Sequence, residues 1–177
     1  VVRPVTRALV YDIDFGRAEM FAEKMRKRLH LPVSVADSTA RISEADIIST
    51  VTPAAEPVFN DKDLKPGTHI NAVGAFTPGM CEIPPQTVKR SRVIADSKEA
   101  CLKEPGDIVG PLQSGLISAE HVSAELGEIA AGKSAGRTTD DEITLFESVG
   151  SGVQDIAAAS LVLRRAEERD IGLMLER

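Results

Sequence analysis

Ala8-Leu9-Val10-Tyr11-Asp12-Ile13-Asp14 is a short apolar run that stops on two acids, and a helix-patterned stretch follows it directly. Ala8–Tyr11 is rich enough in strand formers to be a buried strand. Asp14 suits the N-cap of a helix, because its carboxylate accepts from first-turn N–H groups that have no partner within the helix. Ala18, Phe21, Ala22, Met25 and Leu29 then fall on one helical face, with Glu23, Lys24, Lys27 and Arg28 elsewhere. Pro32 and Val33–Ala36 give a second strand. The opening of the chain therefore reads strand, helix, strand.

The alternation continues outward from this unit. Ile47–Val51 is a third strand, stopped by Thr52-Pro53. Lys65-Pro66-Gly67 is a turn leading into a fourth strand, His69–Val73, which Gly74 ends. A short helix over Pro84–Ser91 precedes a fifth strand, Arg92–Ala95, which delivers Asp96 at its end. Residues 97–122 resist assignment, because Pro105-Gly106 and Gly110-Pro111 interrupt any helix there. Ser123–Ala131 reads as helix, stopped by Gly132. Ile143–Phe146 reads as the last strand, and Val153–Arg169 as a helix apolar on most sides from Ile156 to Leu163. This pattern predicts the α/β class with a doubly wound, mostly parallel sheet. In such sheets ligands lie beyond the carboxyl ends of the strands, which makes the residues after each strand the ones to question.

Composition narrows the function classes. The 177 residues are 42% hydrophobic and 27% charged, ordinary values for a soluble domain, and the net charge is -6. An acidic chain lacks the basic face that neutralises phosphates, so no nucleic-acid partner is expected. No apolar run approaches the roughly 18 residues of a membrane span. Two cysteines, Cys81 and Cys101, make no disulfide framework, and no CxxC or HxxxH pair suggests a metal. The expectation is a cytoplasmic protein.

Four strand ends carry candidate chemistry. Asp12, at the end of its strand, either accepts hydrogen bonds from the adenosine ribose of a dinucleotide or simply belongs to an acidic helix start. Thr50 and Thr52 either donate to cofactor oxygens or are ordinary strand formers. Val73-Gly74 ends a strand in small residues, against which a flat ring can lie, with Phe76 projecting towards it. His69 opens that strand, far from the expected site, and reads as structural. Asp140-Asp141-Glu142 reads as a solvated turn, and Ser148-Val149-Gly150 as a second close-approach turn. No GxGxxG occurs, so the Gly-rich turn that places a pyrophosphate on a helix N-terminus is absent from these residues. If Ala8–Tyr11 is the second strand of the sheet, that turn lies upstream of Val1.

Taken together, VYDID (Val10–Asp14), ADIISTVTPAAEPVF (Ala45–Phe59), LKPGTHINAVGAFTPGMCEIPP (Leu64–Pro85), RVIADS (Arg92–Ser97), ELGEIAAGK (Glu125–Lys133) and GRTTDDEITLFESVG (Gly136–Gly150) resemble the ornithine cyclodeaminase/mu-crystallin family. The stretches occur in the family's order over nearly the whole chain, and HINAVGA with DDEITLF at this separation is the specific pair. The resemblance implies a Rossmann-like NAD(P)-binding domain over residues 1–150, incomplete because its first strand and Gly-rich turn are missing. Residues 151–177 would be a C-terminal helix returning to a second domain that shapes the substrate pocket and a homodimer in the full-length form.

The resemblance also implies residue roles. Asp12 matches the ribose-binding position, and Ile13 stands where NADP-preferring relatives resemble Asn-Arg-Thr with an arginine for the extra phosphate. NAD is therefore expected over NADP. Thr50 and Thr52 match the turn beside the cofactor, and Val73, Gly74, Val149 and Gly150 match the segments that line the nicotinamide. Phe76 departs from the pattern: ornithine cyclodeaminases resemble an aspartate there, which handles protons, and phenylalanine accepts none. The implied activity is reduction of a small cyclic imino acid such as pyrroline-2-carboxylate. The alternatives are ornithine cyclodeamination to proline and ammonia, or a truncated protein that binds without turnover. The family's substrate-carboxylate arginines and active-site lysine have no counterpart here, so no catalytic residue and no metal ligand are assigned.

Overall fold

A computed structural model describes residues 3–173. Its first unit is β1 (Ala8–Val10), α1 (Phe15–Leu29) and β2 (Val33–Val35), with β1 and β2 parallel in the register Ala8↔Val33. Asp14 is the N-cap of α1, and its carboxylate accepts from the Arg17 N–H at 3.2 Å. Arg26, Lys27 and Arg28 lie in the last turn, where positive charge meets the negative end of the helix dipole. Ala18 and Ala22, one turn apart, are the buried residues of α1, and their small side chains let the helix sit close on the two strands.

The second unit is a five-stranded parallel sheet in the order β3-β4-β7-β5-β6, formed by β3 (Ile47–Thr50), β4 (His69–Ala72), β5 (Arg92–Ala95), β6 (Val122–Glu125) and β7 (Thr144–Glu147). The last strand in sequence thus enters the middle, with Glu147 opposite Ala72 on one side and Ala95 on the other. Ile70, Leu145, Val93 and Ala95 face the core together with Ile83, Val88 and Ile108. Among the described residues β1 and β3 do not pair, so the strands form two sheets, of two and five strands. The α/β, mostly parallel architecture expected from the sequence is the one found.

Three expectations are corrected. Val122–Glu125 is a strand, where a helix over Ser123–Ala131 is expected. Val122 and Ala124 alternate inward with period two against β5, and the chain turns helical only at α5 (Leu126–Ala130). A reciprocal box starts α5, in which the Glu128 carboxylate accepts from the Glu125 N–H at 2.8 Å. Residues 97–122 do contain helix, namely α3 (Lys98–Cys101) and α4 (Gly106–Gln113). Pro105 occupies the N-cap of α4, where its missing N–H costs nothing, and Pro111 lies inside a helix whose Ile108, Val109 and Pro111 are buried. Burial outweighs one lost backbone bond. Finally, β7 is Thr144–Glu147, one residue later than expected, which places an acid in phase with Leu145 on the core face.

The helix α2 (Pro85–Arg90) and the long α6 (Gly152–Arg169) are as anticipated. None of the residues of α6 is buried, and Val153, Ile156, Val162 and Leu163 are all exposed. Of the expected segments 1–150 and 151–177, residues 1–2 and 174–177 lie outside the described ones.

Candidate functional site at the strand ends

The carboxyl ends of β3, β4 and β7 lie side by side, and backbone bonds tie the turns that leave them. Val73 donates to the Thr50 carbonyl at 3.1 Å, and Ser148 donates to the Ala72 carbonyl at 3.0 Å. This brings six expected site residues together: Thr50, Thr52, Val73, Gly74, Val149 and Gly150. Asp12 and Ile13 stand at the end of β1, in the other sheet, and are exposed.

Each residue can be placed. Thr50 is buried and its Oγ1 has no hydrogen-bond partner among the described residues. Thr52 is half-buried, and its Oγ1 accepts from the Ala54 N–H at 3.2 Å. Val73 and Phe76 project outward on either side of the buried Ala75, with Phe76 54% exposed. Val149 is half-buried, and Gly150 turns the chain at φ +90°, the left-handed region that glycine tolerates. Gly74 is required by crowding: a Cβ there would strike the Thr52 carbonyl oxygen and come within 2.5 Å of the Thr52 nitrogen and of Glu82 Oε2. At the other sheet, Asp12 Oδ1 accepts from the Asp14 N–H at 2.8 Å, and Ile13 is 95% exposed.

His69 is structural, as expected. Its Nδ1 bonds Thr144 Oγ1 at 2.7 Å and its Nε2 bonds Asn71 Oδ1 at 3.2 Å, at the opposite end of β4 from the site. Burial lowers its pKa. Asp140 and Asp141 are exposed, in a turn where the Asp141 carbonyl accepts from Gly67 at 3.0 Å.

Beneath the strand ends lie acids to which the sequence reading assigns no role. Glu82, fully buried, accepts from the Thr52 N–H at 2.6 Å through Oε1 and from the Gly74 N–H at 2.9 Å through Oε2. Asp107, fully buried in the first turn of α4, accepts through Oδ1 from the Glu82 and Ile83 N–H groups at 2.7 and 2.8 Å. Asp96 accepts through Oδ2 from the Ser148 hydroxyl at 2.7 Å and the Gly150 N–H at 3.0 Å, shaping the turn after β7. Glu147, also fully buried, has no partner for either oxygen among the described residues. A sequence signal exists for Glu147, since it shares the period-two phase of core Leu145. Glu82, between Cys81 and Ile83, has none beyond an acid in an apolar neighbourhood.

Electrostatics follow from this burial. Desolvation, then the neighbouring Asp107, Glu82 and Asp96, push the Glu147 carboxyl well above the usual range. Desolvation raises Asp107 to about 6 against the stabilising Ile83 and Glu82 N–H bonds. Burial and Asp107 push the Cys81 thiol up to about 12, and burial with Asp96 pushes up Cys101, so neither cysteine is a ready thiolate. Because Asp107 binds its proton more tightly folded than unfolded, its contribution to stability is greatest below pH 4. That contribution declines as pH rises from about 4 to about 6, by about 3 kcal/mol in all. Glu147, raised in the same way, acts in the same direction as pH rises above its ordinary range. Asp107→Asn retains the Oδ1 acceptor, so urea melts from pH 4 to 7 are expected to lose that part of the slope while stability at pH 7 holds or rises.

The exposed surface above these acids consists of apolar side chains, Val73 and Phe76, and an open backbone turn at Gly150, where a Cβ would meet nothing within 4 Å. It can seat a flat ring and exclude water from one face. Phe76 offers it no proton. Among the described residues no group of three or more His, Cys, Asp and Glu is placed to hold a metal.

The chain is 42% identical over 177 residues to a Delta(1)-pyrroline-2-carboxylate reductase of Bacillus cereus, a match covering 99% of this chain and 54% of that protein. It is similar in structure, at TM-score 0.93 and 40% identity, to the Delta(1)-pyrroline-2-carboxylate reductase of Thermococcus litoralis, solved with NADH and L-proline, covering 98% of this chain and 54% of that one. An archaeal alanine dehydrogenase dimer with bound NAD matches at TM-score 0.89 and 32% identity, over 99% of this chain and 54% of that one. The chain thus spans about half the length of the relatives it matches. The family model for ornithine cyclodeaminase/mu-crystallin proteins matches residues 1–170, and the chain belongs to that family.

Proposed function

We propose that the intact protein reduces a small cyclic imino acid, pyrroline-2-carboxylate or a close ketimine, with NADH. The observation that carries this reading is Phe76, exposed beside Gly74 where a proton-handling carboxylate would suit deamination. Two relatives at 42% and 40% identity that are named as pyrroline-2-carboxylate reductases support it. An iminium carbon is already electrophilic and needs hydride rather than a protein acid at this position.

The residues present fit the two ends of a dinucleotide. At one end Asp12 keeps its Oδ1 on the Asp14 N–H, while among the described residues Oδ2 carries no protein hydrogen bond and can accept from ribose hydroxyls. Its charge, with Ile13 in place of a basic residue, favours NAD over NADP. At the other end the missing Cβ of Gly74 lets the end of β4 pack against Thr52 and Glu82, the open turn at Gly150 leaves room for a ring, and Val73, Val149 and Phe76 shield it from water. When bound, the nicotinamide supplies the hydride. The chain's residues orient the ring and keep its surroundings dry.

The same reading makes residues 1–150 the cofactor domain and 151–177 the return into a substrate domain, whose cover would account for the unburied apolar side chains of α6. A homodimer is the assembly proposed, in line with the dimeric alanine dehydrogenase. The partner is a small amino or imino acid. Among the described residues no helix is long and apolar enough to cross a membrane.

The test is NADH oxidation by the intact protein with pyrroline-2-carboxylate and with piperideine-2-carboxylate. Stoichiometric proline from the former is the expected result. Proline and ammonia from ornithine without added reductant would instead make the protein a cyclodeaminase, and NADH binding without turnover would make it a binding protein.

A further inference from the structure

Thr52 and Gly74 each lie two residues past the last paired residue of a strand, so their N–H groups fall outside the sheet's ladder. Such donors are costly when buried without a partner. A single side chain answers both: Glu82 spans the two turns, one carboxylate oxygen to each. Its own backbone is held on both sides, since its N–H goes to Asp107 and its carbonyl accepts from the Val58 N–H at 2.9 Å. The loop between Phe76 and Glu82 is pinned in turn by α4. Gly106 donates to the Thr77 carbonyl at 3.1 Å, and a Cβ on Gly106 would come within 2.8 Å of the Pro78 carbonyl oxygen. Glu82 is fully buried, so it is screened from any ligand above the strand ends.

We propose that Glu82 is a positioning residue: its two carboxylate oxygens lock the ends of β3 and β4 together and so fix the spacing of the Thr52, Val73 and Gly74 surface on which the nicotinamide half of the cofactor rests. This rests on the cofactor reading above. The geometry asks for a carboxylate specifically. Glutamine has the same size, but its amide presents one oxygen and one NH2, and the NH2 would face a backbone N–H, donor against donor. Aspartate keeps both oxygens on a stem one carbon shorter, and reaches both turns less well.

The test compares Glu82→Gln and Glu82→Asp with the unaltered intact protein, reading NADH affinity, KM for NADH against kcat, and the rise in melting temperature caused by NADH. A side chain that only supports the fold lowers the melting temperature equally with and without cofactor. A positioning role shrinks the NADH-induced rise itself. Glu82→Gln is expected to bind NADH roughly tenfold more weakly or worse. It should lose most of the NADH-induced rise, with KM for NADH moving more than kcat, and Glu82→Asp should fall between. Wild-type NADH affinity in either folded variant overturns the proposal, even if the apo protein melts lower. If Glu82→Gln does not fold, Glu82→Asp decides by the same criterion, and failure of both to fold assigns Glu82 to the core and overturns the positioning role. No NADH binding by the unaltered protein contradicts the cofactor reading instead, which separates the two failures.

Discussion

Gly74→Ala is expected to lower stability by about 2–3 kcal/mol and to weaken NADH binding by at least roughly tenfold. The added methyl would strike the Thr52 carbonyl oxygen and approach the Thr52 nitrogen and Glu82 Oε2 to 2.5 Å. Two of these three atoms are backbone, so no rotamer change relieves the clash. The ends of β3 and β4 must separate, and Glu82 then cannot hold both. Gly79 is the control, because a Cβ there meets nothing within 4 Å, and Gly79→Ala should cost less than about 0.5 kcal/mol. Urea melts and an NADH titration on both variants check the pair. Equal behaviour of the two would remove the close-approach role of Gly74.

The double change Asp12→Asn with Ile13→Arg is expected to shift the ratio of NADH to NADPH affinity by roughly 100-fold towards NADPH. Asparagine keeps an acceptor for the Asp14 N–H at 2.8 Å, so the start of α1 is preserved, but it removes the charge that repels a 2′-phosphate. Ile13 is 95% exposed, so an arginine fits without repacking and brings a bidentate phosphate partner. Parallel titrations with the two reduced cofactors measure the ratio. An unchanged ratio would mean that the end of β1 does not face the adenosine ribose.

Much of the fold was legible because its local signals agree. The Ala8–Asp14 run, the Asp14 cap and the helical face of Ala18, Phe21, Ala22, Met25 and Leu29 point to one βαβ unit, and that unit is present, although of that face only Ala18 and Ala22 are buried while Phe21 and Leu29 are exposed. Signals failed where tertiary burial overrides local preference. Pro105 and Pro111 look like breakers, yet one starts α4 and the other is carried within it by the core contacts of Ile108 and Val109. Val122–Glu125 is too short for its period-two pattern to outweigh the helix that follows, and only pairing with Val93 and Ile94 reveals it.

The site was legible in part for the same reason. The apolar and glycine positions Val73, Gly74, Val149 and Gly150 announce strand ends. Glu82 and Asp107, by contrast, acquire their roles from partners 30 and 24 residues away, Thr52 and Ile83, which no periodicity encodes.

The most direct measurement is single-turnover reduction of pyrroline-2-carboxylate by the intact protein with NADH carrying deuterium at both C4 positions. Proline with one deuterium at C2, formed in step with NADH oxidation, is the expected product. Proline without deuterium, or no NADH consumed while the imino acid stays unchanged, would contradict an NADH-dependent imine reductase built on this strand-end site.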